Sequence, residues 1–191
     1  MINGINGLTA IMFFLKDKIW NLYDAGISVH LITGWPSHIK PDKHTETMVS
    51  WIDIFPALLD IIGCQIPANL DGKSFKRVLE GKTYKHWEYV FTTHRGDGIM
   101  NVYPIHSIGT KRYKYILNVR QDYYQSNPSD IRRKQNAGGY WDSWDEAVKT
   151  DRNADEIIRK YCIRLVEKFY DIKNDPFEQY NLIENKAQKK Y

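Results

Sequence analysis

His94 and Arg95 stand side by side at the end of a run that reads as a strand. Both are of types that can hold an anion or a sugar hydroxyl. A guanidinium offers paired N–H donors to a sulfate or a carboxylate, and an imidazole exchanges hydrogen bonds with hydroxyl groups. The same pair also reads as two polar residues leaving a strand for solvent. The remaining reactive types are less promising. Cys64 and Cys162 are far apart and fall in different expected elements, so they make neither a disulfide framework nor a metal site. Cys162 lies on the apolar stripe of an expected helix, a place for a buried free thiol. Asp175-Pro176 followed by Glu178 reads as a turn, in which Pro sets φ and the Asp side chain bonds backbone amides just ahead, and not as a pair of catalytic carboxylates.

The elements that must position these residues change character along the chain. In the first half, Ile27 to Ile32 is a short β-branched run between Gly26 and Gly34-Trp35-Pro36, which predicts a buried strand. Leu8 to Leu15 is apolar without a basic lead-in or a small-residue cleavage site, and reads as a buried strand or irregular start, not a secretion signal. Ile54 to Ile62 predicts a helix with Asp53 at its cap, Pro56 in its first turn and Gly63 closing it. Asp71-Gly72 predicts a turn, and Ser74 to Leu79 a short helix stopped by Gly81.

In the second half, 88–93, 103–110 and 112–119 predict successive strands. Tyr113, Tyr115, Leu117 and Val119 share one face of the last, with Arg112, Lys114 and Asn118 on the other, as in an antiparallel sheet with one wet side. The loop 121–139 carries charge, Asn-Pro and Gly-Gly. Ala154, Ile157, Ile158, Tyr161, Cys162 and Leu165 recur at helical spacing and predict a helix over 151–168. Phe169 to Ile172 would add a final strand.

The 191 residues suffice for one sizeable domain, or one and a half. Thirteen Tyr and six Trp suit a carbohydrate-facing surface or an ordinary aromatic core. The net charge of +4 is spread along the chain. No basic stripe with a nucleic-acid reading motif is present, and no apolar run is long enough to cross a bilayer. A mildly positive balance fits an anionic ligand.

Three stretches, in order, resemble the sulfatase family of the alkaline-phosphatase-like superfamily. The first is Asn21-Leu22-Tyr23-Asp24-Ala25-Gly26-Ile27-Ser28-Val29, similar to Leu-Tyr-(Asp/Glu)-(Ala/Gly)-Gly-Ile-x-Val-Pro. It runs on through Trp35-Pro36, Ser50-Trp51-Ile52-Asp53-Ile54-Phe55-Pro56 and Leu70-Asp71-Gly72-Lys73-Ser74. The second is Val90-Phe91-Thr92-Thr93-His94 with Tyr103-Pro104-Ile105 and Thr110-Lys111-Arg112-Tyr113-Lys114-Tyr115. The third, Phe169-Tyr170-Asp171-Ile172 through Asp175-Pro176, Glu178 and Asn181-Leu182, resembles the family's ending. Gly138-Gly139-Tyr140-Trp141 with Ser143-Trp144 points to bacterial sulfatases resembling heparan N-sulfatase (sulfamidase).

The resemblance implies an α/β fold: the C-terminal part of an alkaline-phosphatase-like fold, with a small antiparallel sheet plus a long helix. It divides into a remnant of the core α/β domain at 1–84 and an α+β subdomain at 85–191. The implied parent activity is hydrolysis of sulfate esters or N-sulfate groups on a glycan. That chemistry uses a formylglycine made from Cys or Ser and a calcium ion held by Asp and Asn. Neither cysteine here has the Cys-x-Pro/Ala-x-Arg surroundings, so no catalytic residue is assigned. The expectation is a fragment inactive alone, lacking an N-terminal half. Asn6-Gly7 stands where the second metal motif is expected, but its preceding Asp is missing, so calcium is not expected on this chain. The resemblance makes Lys18 a sulfate contact, one position off the usual spacing, where a slip in an extended segment turns a side chain to the opposite face. It places His94 and Arg95 beside the substrate pocket, puts His106 where Arg is common, and replaces a Pro by His30. The implied partner is a sulfated glycan; relatives are often periplasmic or secreted. Rival readings are a non-catalytic glycan- or protein-binding module and a truncated product of poor solubility.

Overall fold

The computed structural model describes residues 10–14, 21–95, 104–125 and 139–184. They form two compact units: Met1–Asp17 with Ser28–Val90, and Lys18–Ile27 with Phe91–Tyr191.

In the first unit, β1 (Ala10–Phe14) and β2 (His30–Gly34) pair antiparallel, Ala10 opposite Gly34 and Phe14 opposite His30. The strand expected from Ile27 starts later. Gly26 and Ile27 N–H both donate to the Tyr23 carbonyl, winding 24–27 into a helical turn before the chain extends. Nor is β2 buried as a whole: its exposure alternates, and Ile32 is 50% exposed. After a short 3-10 turn, Trp51–Asp53, comes α2 (Ile54–Ile61), which Gly63 closes at φ 77°. Ala57 packs with Phe75 and with Val78 of α3 (Lys76–Leu79), and Leu31, Val49, Ile54 and Leu79 surround them. Gly72 passes close under the preceding turn: a Cβ there would lie 2.0 Å from the Ile52 carbonyl oxygen.

Asp53 does not cap α2 as expected, since its side chain makes no cap bond to that helix. The buried carboxylate instead collects Ser50 N–H (2.7 Å), Lys73 N–H (2.9 Å) and Trp87 Nε1–H (2.7 Å), tying three separate segments together. His86 Nε2 stands 3.1 Å from the same carboxylate, off the hydrogen-bonding direction. Lys73 Nζ lies 3.7 Å above the Trp87 ring and donates to the His86 carbonyl at 2.6 Å. Burial holds the His86 imidazole below its usual range, although Asp53 pulls the other way.

The second unit is built on a four-stranded sheet in the order β3 (Val90–His94), β4 (Ile105–Gly109), β5 (Tyr113–Asn118), β6 (Glu167–Asp171). β4 and β5 pair antiparallel with Ile105 opposite Asn118, and β5 and β6 with Tyr113 opposite Asp171. The antiparallel sheet is the expected one, but its faces are reversed. Lys114, Ile116 and Asn118 are the buried side of β5, while Tyr113, Tyr115 and Leu117 are only half-buried. The reversal follows from partners far away in sequence. Lys114 Nζ is neutralised by Asp24 at 2.8 Å, and Asn118 donates to the Leu165 carbonyl. Leu22, Ile105, Ile116 and Tyr170 form the core, with Tyr23, Ile27 and Ile172 against it.

A helix the sequence reading left unassigned, α4 (Tyr140–Val148), precedes α5 (Arg152–Cys162). Asp151 caps α5 through Asn153 N–H at 2.8 Å. The helix stops six residues before the expected Lys168: Ile163 is extended, and Asn118 N–H donates to the Val166 carbonyl as the chain enters β6. Its apolar stripe is shallow. Ala154, Ile158, Tyr161 and Cys162 are half-buried, whereas Ile157 is 62% exposed. Neither cysteine forms a disulfide among the described residues; Cys64 is exposed and Cys162 half-buried instead of buried.

Candidate functional site

Along β3 and one residue beyond, exposure alternates: Phe91, Thr93 and Arg95 are exposed, Thr92 and His94 half-buried. Strand pleating therefore sends His94 and Arg95 to opposite sides. Thr93 Oγ1 lies 3.3 Å from Nδ1 of His106 on β4, so the exposed side carries Thr93 and His106, with Arg95 also exposed just beyond. On the other side, Nε2 of His94 is buried and has no hydrogen-bond partner among the described residues. Lys18 and Asn6 lie outside the described residues.

The structure also assembles a buried polar cluster that the sequence reading missed. Segment 21–27, which follows Lys18 in the chain, is held to the sheet by its charged groups. Asp24 pairs with Lys114 of β5, and Asp24 N–H donates to Glu178 Oε2 from the C-terminal turn. Lys168 of β6 donates to the Tyr23 hydroxyl at 2.8 Å, and the Arg164 guanidinium lies 5.2 Å from the centre of the Tyr23 ring. Burial pushes the Tyr23 phenol upward, but Arg164 and Lys168 outweigh it and the net shift is downward. Burial holds the Lys168 amine below its usual range and pushes the Tyr170 phenol well above its own. The Glu178 carboxyl is pushed up to about 7, chiefly by burial, with Lys114 opposing.

This cluster gives the third motif-like stretch a physical basis. Asp175 Oδ2 accepts from Tyr180 N–H at 2.8 Å, as the turn reading requires. Asn181 Oδ1 accepts from Phe169 N–H (2.9 Å) and Ile183 N–H (3.2 Å), while its Nδ2 donates to the Glu167 carbonyl (3.3 Å). It thereby occupies backbone groups along the outer side of β6, an edge strand.

Calcium would need several clustered oxygen ligands. Among the described residues no group of three or more His, Cys, Asp or Glu side chains converges to hold an ion.

A family model described as N-sulphoglucosamine sulphohydrolase, C-terminal, matches residues 11–132. The chain belongs to that sulfatase family. An ulvan-active sulfatase of Formosa agariphila is 30% identical to it over 164 residues, covering 85% of this chain and 30% of the relative. A solved 2-O GAG sulfatase superposes with a TM-score of 0.59 at 21% identity, over 89% of this sulfatase chain and 28% of that one. A second structure, solved with its substrate D-glucosamine-2-N,6-O-disulfate, gives 0.52 at 20% identity over 84% and 24%. The fold is thus that of the C-terminal region of alkaline-phosphatase-like sulfatases. This chain spans about 30% or less of the length of these relatives.

Proposed function

We propose that these residues form the substrate-holding side of a pocket in which sulfate ester or N-sulfate groups on a glycan are hydrolysed, with the sulfur-attacking nucleophile and the calcium ligands outside the 191 residues. The observation that carries the reading is the end of β3. A buried imidazole nitrogen without a partner among the described residues and, on the opposite side, an exposed guanidinium flank one strand terminus in a chain of the sulfatase family. Arg95, on the exposed side of β3, supplies two donors to a sulfate or uronate oxygen pair; the family resemblance adds His94, on the other side of the strand, as a hydrogen-bonding contact to a sugar hydroxyl. Lys18 adds a point charge toward the sulfate. Residues 1–84 form the remnant of the core α/β domain in this reading, and 85–191 the α+β subdomain.

Binding of a sulfated disaccharide, followed by calorimetry or ligand-observed NMR, tests this. Arg95→Ala should weaken binding roughly tenfold and lower its salt dependence. His94→Ala should weaken it for sulfated and desulfated sugar alike. Equal affinity of wild type and both variants would remove β3 from the site. The rival reading, a non-catalytic glycan- or protein-binding module, needs no other protein segment for its function.

A further inference from the structure

Glu178 is placed as no ordinary turn residue is. It sits at φ 51° on the C-terminal turn, where its N–H donates to the Asp175 carbonyl, and only 6% of it is exposed. Its side chain reaches 154 positions back along the sequence to accept the Asp24 N–H through Oε2. Its other oxygen, Oε1, is buried and has no hydrogen-bond partner among the described residues. Asp24 opens the helical turn 24–27, whose neighbours Leu22 and Tyr23 pack into the core of the second unit. A single carboxyl group thus joins the C-terminal turn to segment 21–27.

We propose that Glu178 is a protonation-controlled latch: one carboxyl oxygen grips the first turn of segment 24–27, and the presence or absence of a proton on the other sets how firmly residues 21–27 are held to the sheet.

The surrounding charges define what the latch feels. Asp24 faces it from the helical turn, Lys114 from β5, Lys168 and Tyr170 from β6, and Asp175 from its own turn; Arg164 and Tyr23 lie behind Lys168. The lysine on β5 gives its 2.8 Å contact to Asp24, and the lysine on β6 gives its own to Tyr23. Neither is bonded to Oε1. An ionised carboxylate here keeps one oxygen dry and unpaired beside the Asp24 carboxylate, whereas the neutral acid retains the Asp24 N–H bond at lower desolvation cost. Folding therefore favours the protonated form. The group's folded value of about 7 lies above the usual 4.5. Its contribution to holding the segment is complete below that usual value and is lost as pH rises through neutrality. The device is independent of any sulfate chemistry.

Amide hydrogen exchange of the full chain between pH 5 and 8.5, corrected for intrinsic rates, reads the latch at residues 21–27. In the wild type, protection there should fall progressively as pH approaches 7, by up to about tenfold per pH unit. Glu178→Gln keeps an acceptor for Asp24 N–H but cannot ionise, and its profile across the same window should be flat. A direct carbon-13 titration of the wild-type Glu178 carboxyl gives a reading that does not depend on the variant folding, with an expected midpoint near neutrality. A midpoint in the ordinary carboxylate range, or the same pH slope in wild type and Glu178→Gln, overturns the proposal.

Discussion

Asp53 shows how much one side chain can organise. With its surface wholly buried, it accepts from two backbone amides and the Trp87 indole. Asp53→Ala strands all three donors in the core of the first unit and should cost about 3 kcal/mol or more, read as a lowered denaturation midpoint. Its neighbour His86 gives the stability a pH dependence. Burial keeps the imidazole neutral, so the folded form binds its proton less readily than the unfolded chain does. Stability should therefore fall as pH drops below about 6.5, and His86→Gln should flatten that acid limb in thermal melts. From sequence, Asp53 was visible as an element boundary but not as a hub, because its partners Lys73 and Trp87 lie 20 and 34 positions away. His94 and Arg95 were visible as chemistry, whereas the strand pleat that separates them became apparent only from exposure.

At the level of elements, periodicity served where burial followed hydrophobicity and failed where charge was buried in pairs. The strands from 90 to 118, the helix after Asp53 and the final strand were all legible, within a few residues of their ends. The buried face of β5 was not, because Lys114 and Asn118 are made tolerable inside by Asp24 and the Leu165 carbonyl, residues that no local pattern connects. Helix α5 was drawn too long for a similar reason: Leu165 continues the apolar spacing, yet backbone pairing between Asn118 and Val166 takes the chain into a strand. Helix α4 follows Gly-Gly within a stretch read as loop and resemblance alone, so no helix was expected there. The C-terminal motif behaves as a clasp on the sheet edge. Asn181→Ala should remove one accepted and one donated bond at β6, with a third bond accepted from Ile183 N–H in the following turn, and destabilise the second unit by about 1–3 kcal/mol. Urea unfolding that left the midpoint unmoved would show that the edge is held in some other way.

For the whole molecule, family membership settles the ancestry of the fold, and the β3 terminus is where the proposed role in sulfate chemistry is concentrated. Trp51, Ile52 and Phe55 present more than half their surface on neighbouring positions of the first unit, which bears on the poor solubility expected under the truncated-product reading. The decisive measurement is free sulfate released from a disulfated glucosamine or an aryl sulfate by the purified chain in the presence of calcium, with binding of the same sugar followed in parallel. The account predicts bound sugar and no sulfate above the uncatalysed background. Catalytic release of sulfate by these 191 residues would contradict it.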